Sequence, residues 1–359
     1  MVRVRKRGLP DGRACYDLNG DAGGIRTANR YLLYLANLDR SPNTIRAYAT
    51  DLRLWIGWLA DLSRPWESAD LELLGQFVYW LRTTRSGQRQ PDEIVTQLTS
   101  AQPGRSPKTV NRIVGTVFAF YEFHAEAGAP ISRQLVDFRA THHDYKRSLG
   151  RRSSRRRPIT LPEPSTRPAT LSAAQVGNLV RACEHRRDRL LIGFWWLAGL
   201  RVGQTLGLRH DDIDARKGQL RIVPRVNPNG ARPKVRETQT VPLRPELVEF
   251  YGEYVREELQ SVESDYVFVN LWCEPLGSPM SYSAVDGLVR RLRTHSGVDF
   301  TPHQLRHTFA TDLHREGVSL EVISRLLTHR SISTTSDLYL HLDVEDLRAG
   351  LETLKEART

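Results

Sequence analysis

Apolar residues recur at three- and four-residue steps over most of this 359-residue chain, and strict alternation is confined to short stretches. Ile45, Tyr48, Leu52, Ile56 and Leu59 follow Ser41-Pro42, a capping serine with proline at the first helical position, so the spacing predicts an amphipathic helix. The same start recurs at Ser106-Pro107, ahead of Val110, Ile113, Val114, Val117, Phe118 and Tyr121. Ser68 is expected to open another helix through Leu71, Leu74, Phe77, Val78 and Leu81, and an earlier helix carries Tyr31, Leu32 and Leu35. From about Thr27 to Glu126 these make a small helical domain, with Ser86 to Gln102 as a polar excursion between its third and fourth helices.

Between His142 and Pro168 the chain turns basic and proline-rich and loses its apolar period, as a linker does. Ser172 and Gln175 then have the spacing of a capping box ahead of a helical region that includes the apolar run Leu190 to Leu197. Alternation in Leu220 to Pro224 and Thr238 to Leu243 predicts two strands joined by a long turn through Asn227-Pro-Asn-Gly230. Helices return from Leu247, interrupted by a short strand at Tyr266 to Val269. The expected organisation is a basic N-terminal segment (1–24), a helical domain (25–141), a basic linker (142–167) and a second domain (168–359). The fold class is mainly α with a small β-sheet in the second domain. In the tail, Leu347, Leu351 and Leu354 share one helical face suited to packing on the same chain or on a neighbouring subunit.

Composition adds a partner and excludes several classes. Lys plus Arg number 52 against 41 Asp plus Glu, a net charge of +11. The excess is concentrated at Arg3 to Arg7 and at Lys146 to Arg157, which points to a polyanion, most simply nucleic acid. Cys15, Cys183 and Cys273 are far apart and form no Cys-x-x-Cys pair, so neither a disulfide framework nor a cysteine metal site is indicated. The longest apolar stretch, Leu190 to Leu200, is too short to span a bilayer, and the first residues lack the apolar core of a signal peptide. A soluble protein of a reducing cytoplasm is expected, without a membrane partner.

The chemistry is concentrated toward the C-terminus. His303-Gln-Leu-Arg306-His307 is followed by His329 and then Tyr339, and Arg201 lies far upstream in Ala-Gly-Leu-Arg. Two guanidiniums can hold phosphate oxygens, imidazoles can move protons, and a phenol can attack phosphorus, all without a cofactor. On a helix His303, Arg306 and His307 share one face. His303 and His307 also have the spacing of a zinc helix, but Gln304 stands where a metalloprotease carries its glutamate and no third ligand is apparent, so no metal is assigned.

The order of these parts resembles the tyrosine recombinase, or phage integrase, family. The most specific stretch runs from Thr301-Pro-His-Gln-Leu-Arg-His-Thr-Phe-Ala-Thr to Leu326-Leu-Thr-His-Arg-Ser-Ile-Ser-Thr-Thr-Ser-Asp-Leu-Tyr339, and Gly199-Leu-Arg201-Val-Gly-Gln-Thr-Leu-Gly-Leu-Arg-His-Asp-Asp matches the segment of the family's first arginine. The resemblance implies a helical SAM-like core-binding domain followed by a catalytic domain. It also implies Tyr339 as nucleophile, Arg201 and Arg306 as clamps on the scissile phosphate, and Lys234 as donor to the departing 5′ oxygen. His303 would assist as general acid or base and His329 would hydrogen-bond the phosphate. The product would be a 3′-phosphotyrosyl link that a 5′ hydroxyl reverses without a cofactor. Double-stranded DNA is the implied partner, gripped by Arg151, Arg152, Arg155, Arg156 and Arg157 of the linker, and a homotetramer on two synapsed sites is the implied assembly; accessory proteins stay open. The function implied is integration, excision or transposition of a mobile element in the bacterial cytoplasm, at the nucleoid.

Two positions depart from the family's pattern. Gln204 stands where an acidic residue usually follows the first arginine, and Thr328 replaces the usual glycine before the third basic residue. Gln204 can orient a neighbour by hydrogen bonding but supplies no charge. Two rival readings follow: a DNA-relaxing topoisomerase of the same catalytic type, and a DNA-binding protein whose impaired site does not cleave.

Overall fold

The computed structural model describes residues 1–9, 14–84, 104–136, 158–163, 169–260 and 262–328. It divides the chain into two units, Met1–Ser165 and Thr166–Thr359. The Ser86 to Gln102 excursion, the run Lys146 to Arg157 and the tail beyond Thr328 lie outside the described residues.

The first unit opens with a hairpin where the sequence predicts only a basic segment. Strands β1 (Arg3–Gly8) and β2 (Ala14–Asn19) pair antiparallel, with Val4 opposite Leu18 and Arg5 opposite Asp17. Val2, Cys15 and Leu18 are buried in the same core as the helices that follow, so the hairpin belongs to the helical unit. Its charges face outward, and Arg5 forks onto Asp17 at 2.9 and 3.1 Å.

Helices α1 (Ile25–Asn37), α2 (Pro42–Asp61), α3 (Leu71–Thr83) and α4 (Pro107–Glu126) complete the unit. Ser41 and Ser106 cap α2 and α4 by accepting the backbone N–H of Thr44 and Thr109, each followed by proline at the first helical position. The start of α3 differs from expectation. Its cap is Asp70, which accepts the N–H of Leu73 at 2.8 Å, while the Ser68 hydroxyl is spent on the carbonyl of Pro65 in a preceding 3₁₀ turn. The core is aromatic: Trp55, Phe77, Phe118, Phe120 and Tyr121 are fully buried. A polar tie crosses it, since buried Asp51 of α2 accepts from Arg112 at 2.5 Å and Thr116 at 2.9 Å of α4. Burial pushes the Asp51 carboxyl up, and Arg112 opposes that.

In the second unit α5 (Ala173–Arg181) starts with the Ser172–Gln175 capping box. Helix α6 (Arg186–Trp196) buries Leu190, Leu191, Ile192, Phe194 and Trp195 at the centre of the unit, and the short α7 (Val202–Thr205) follows. Strands β3 (Ile213–Asp214), β4 (Gln219–Ile222) and β5 (Gln239–Pro242) form an antiparallel sheet with β4 in the middle and Leu220 opposite Val241. The expected strand at Tyr266 to Val269 is absent as a ladder. Its backbone bonds go singly to different partners, Val267 N–H to Leu208 and the Phe268 carbonyl to Met280, and Val267, Phe268 and Val269 are all buried. Helices α8 (Pro245–Glu257), α9 (Tyr282–Ser296), α10 (Pro302–Arg315) and α11 (Leu320–Leu326) close the unit. Among the described residues no helix is long and apolar enough to cross a membrane.

One hydroxyl in the first unit is singled out by its partners. Tyr121 accepts the indole N–H of Trp55 at 3.1 Å and donates to the carbonyl of Trp66 at 2.8 Å, all of it buried. Tyr121→Phe keeps the ring and strands both partners, so it should lower the unit's unfolding free energy by about 1–3 kcal/mol. Urea unfolding followed by tryptophan fluorescence measures this, and a midpoint equal to the parent's would mean that water or relaxation satisfies both groups.

Candidate active site

Helix α6 delivers Arg201 through a turn that only glycine fits. Gly199 has φ +59°, and a Cβ there would lie 2.4 Å from the Phe309 ring. The chain thus turns back, and Arg201 becomes the first flanking residue of α7. Its guanidinium is half-buried, and burial pushes its pKa down. Among the described residues no carboxylate pairs with it; its side-chain contact is Nη1 donating to Thr328 Oγ1 at 3.3 Å.

Gln204 and Thr328, the two departures from the family's pattern, meet each other at this point. The Gln204 amide oxygen accepts the backbone N–H of Arg201 at 2.8 Å, and its Nε2 donates to Thr328 Oγ1 at 2.8 Å. Both residues are buried. Thr328 has φ +53°, the left-handed region that glycine adopts without strain, at a penalty of about 1–2 kcal/mol for a side-chain-bearing residue. The backbone therefore takes the conformation that the usual glycine allows, with a hydroxyl added.

Thr301 caps α10 by accepting the N–H of Gln304, with Pro302 behind it. The shared face expected for His303, Arg306 and His307 is graded in depth: His303 is exposed, while Arg306 and His307 are buried. Arg306 turns inward onto two backbone carbonyls, one in the turn after α6 and one at the end of α11, where the helix dipole favours a cation. Its Nη1 donates to the Gly199 carbonyl beyond α6, and its Nη2 donates at 2.6 Å to that of Leu327, which ends α11. One guanidinium thereby ties the segment carrying Arg201 to the segment carrying Thr328. The rings of His303 and His307 meet edge to face at 4.2 Å between centroids.

Lys234 lies exposed in the long connection between β4 and β5, two residues after the point where that connection is fastened. Asn227 Nδ2 donates to the Ala231 carbonyl and Asn229 Nδ2 to that of Met280, both at 2.8 Å, and Ala231 is buried. A Cβ on Gly203 of α7 would come 3.1 Å from the Arg232 carbonyl and 2.6 Å from the Tyr282 hydroxyl. The connection thus packs on the helix that follows Arg201, with Lys234 just beyond. His329, Tyr339 and the linker arginines Arg151, Arg152, Arg155, Arg156 and Arg157 lie outside the described residues. In the sequence Thr328 stands out only as a departure; its contact with Gln204 spans 124 residues, and no local signal announces it.

Burial first, then His303 and Arg306, push the His307 pKa down to about 4. The folded protein then refuses a proton that the unfolded chain accepts near the ordinary histidine value. Stability present at neutral pH is lost as pH falls from about 6.5 toward 4, by roughly 2–3 kcal/mol at the lower end. Comparing urea midpoints at pH 7 and near pH 4.5 should show a drop that His307→Gln reduces. An equal drop in both proteins would place the acid sensitivity elsewhere.

The phage integrase family profile matches residues 169–346, and that of the phage integrase N-terminal SAM-like domain matches residues 28–90. Transposase A from transposon Tn554 of Staphylococcus aureus is 32% identical over 331 residues, covering 90% of this chain and 89% of the relative. Tyrosine recombinase XerA of Thermococcus kodakarensis is 29% identical over 324 residues, covering 90% and 93%. In fold, the chain is similar to the Tn1549 transposon integrase in complex with a circular intermediate DNA, with a TM-score of 0.67 at 17% identity, over 93% of this chain and 100% of that one. XerH recombinase bound to a palindromic difH substrate in a post-cleavage complex gives 0.58 at 17% identity, over 92% and 88%. With a SAM-like helical domain ahead of a catalytic domain that holds Arg201, Lys234, His303 and Arg306, and a relative alike along nine-tenths of its length, the chain belongs to the phage integrase family of tyrosine-type site-specific recombinases.

Proposed function

We propose that this protein cleaves and rejoins double-stranded DNA to move a mobile element, and that Arg201 and Arg306 hold the scissile phosphate. The observation that carries this is the half-buried Arg201 guanidinium, a desolvated cation facing a hydroxyl and, among the described residues, no carboxylate. A cation in that setting favours an anion, and the charge that grows on phosphorus oxygens in the transition state is the anion it favours most.

In this reading the Tyr339 hydroxyl attacks phosphorus, the bond to the 5′ oxygen breaks, and a 3′-phosphotyrosyl bond replaces it. Lys234, on its exposed and anchored connection, gives a proton to the departing oxygen. His303, at the exposed start of α10, assists as acid or base, and His329, next after Thr328, donates to the phosphate. The step needs no cofactor, because one phosphoester replaces another and the 5′ hydroxyl of a second strand can reverse it. Arg151, Arg152, Arg155, Arg156 and Arg157 would contact backbone phosphates and contribute to a salt-dependent affinity. Two copies on each of two synapsed sites, a homotetramer, would give one cleaving pair at a time. The curated relatives are transposases and recombinases, which favours strand transfer over DNA relaxation.

A substrate nicked near the cleavage point traps the intermediate as a covalent adduct that a denaturing gel resolves. The parent should form it and Tyr339→Phe should bind DNA without forming it. Lys234→Ala should form it slowly, and a 5′-bridging sulfur in place of oxygen should restore its rate, because a thiolate departs without a proton. An adduct that persists in Tyr339→Phe sinks the nucleophile; a Lys234→Ala defect that the sulfur leaves unchanged sinks the proton donor.

A further inference from the structure

We infer that Thr328 is a positioning residue for Arg201 and acts with Gln204 as one uncharged unit; the inference rests on reading Arg201 as a phosphate-holding residue. Three hydrogen bonds close a ring. Gln204 Oε1 fixes the backbone N–H of Arg201 at 2.8 Å, Gln204 Nε2 reaches Thr328 Oγ1 at 2.8 Å, and Arg201 Nη1 reaches the same oxygen at 3.3 Å. The ring fixes Arg201 at both ends, main chain and guanidinium. A hydroxyl oxygen has two lone pairs, and here both face N–H donors.

The two departures from the family's pattern are thus one substitution in physical terms. A glycine at 328 would leave the Gln204 Nε2 without the hydroxyl it now meets in a buried place. The hydroxyl in turn is held in place by a left-handed backbone that a threonine does not adopt without strain, and such strain persists where surrounding contacts over-determine it. The Leu327 carbonyl immediately before it is one of those contacts, accepting from Arg306 at 2.6 Å. Gln204 and Thr328 are neutral, so no carboxylate among the described residues offsets the Arg201 charge, which a carboxylate at 204 would do.

Thr328→Val is the decisive change, because valine keeps the shape and the backbone strain and removes only the oxygen. With saturating nicked substrate, single-turnover adduct formation should slow by roughly tenfold or more, while DNA affinity stays as in the parent. Thr328→Ser should return to within about threefold of the parent. Gln204→Leu should also slow the step, and the double variant Gln204→Leu with Thr328→Val should be no slower than the slower single variant. The parent, Thr328→Val, Gln204→Leu and their double variant in urea should show the coupling in their unfolding midpoints, a readout independent of catalysis. A Thr328→Val protein that cleaves at the parental rate, rates that multiply in the double variant, or additive midpoints would overturn the inference. A parent that forms no adduct at all counts instead against the strand-transfer reading, and the midpoints then decide whether the Gln204–Thr328 unit exists.

Discussion

The site is organised by a buried guanidinium that bridges the turn after α6 and the end of α11. A cation as buried as Arg306 is costly unless its donors are met, and here the carbonyls of Gly199 and Leu327 meet two of them. The Leu327 carbonyl stands at a helix C-terminus, where carbonyls lack intrahelical partners and carry partial negative charge, so a cation is the complement it favours; the Gly199 carbonyl belongs to the turn beyond α6. Through this contact α10 locks the turn after α6 against the end of α11. Arg201 and Thr328 are 127 residues apart in sequence and within hydrogen-bonding distance as a result.

Charge balance around that bridge explains the neighbouring departures. Arg201 is half-buried and Arg306 buried, and the pKa of His307, next to Arg306 in the chain, is pushed down by burial and by His303 and Arg306. Gln204 and Thr328 add hydrogen bonds without adding negative charge. Two guanidiniums among neutral hydrogen-bonding partners are the preorganisation that the proposed phosphate clamp requires. The aromatic first unit, tied by Tyr121 and Asp51, gives the chain a second body of its own stability.

Much of the fold was legible because its signals are local. The starts at Ser41-Pro42, Ser106-Pro107 and Ser172 to Gln175 each lie within four residues, and each became a helix cap. The hairpin of β1 and β2 was missed because Arg3 to Arg7 was read as charge, although Val2 and Val4 alternate with arginines and Pro10-Asp11-Gly12 is a turn signature. Tyr266 to Val269 misleads in the opposite direction: β-branched and aromatic residues favour extended backbone, and burial of Val267 to Val269 between single bonds to Leu208 and Met280 satisfies them without a ladder. At the site, the motifs and the resemblance point to Arg201, Arg306 and His303, but their depth is not written in the sequence. Whether Arg306 faces out like His303 or inward to two carbonyls depends on where α6 and α11 end, and that is a tertiary fact.

Arg306 bridges the Gly199 and Leu327 carbonyls with its planar fork as well as carrying a charge. Lysine keeps the charge and loses the fork, so it cannot bridge both carbonyls in the same plane. The most direct measurement is the single-turnover cleavage rate of Arg306→Lys on saturating duplex, beside its DNA affinity. A rate reduced by roughly tenfold or more at parental affinity is the expected result. A rate equal to the parent's would mean that positive charge alone suffices and that the bridge between Gly199 and Leu327 does not set the site.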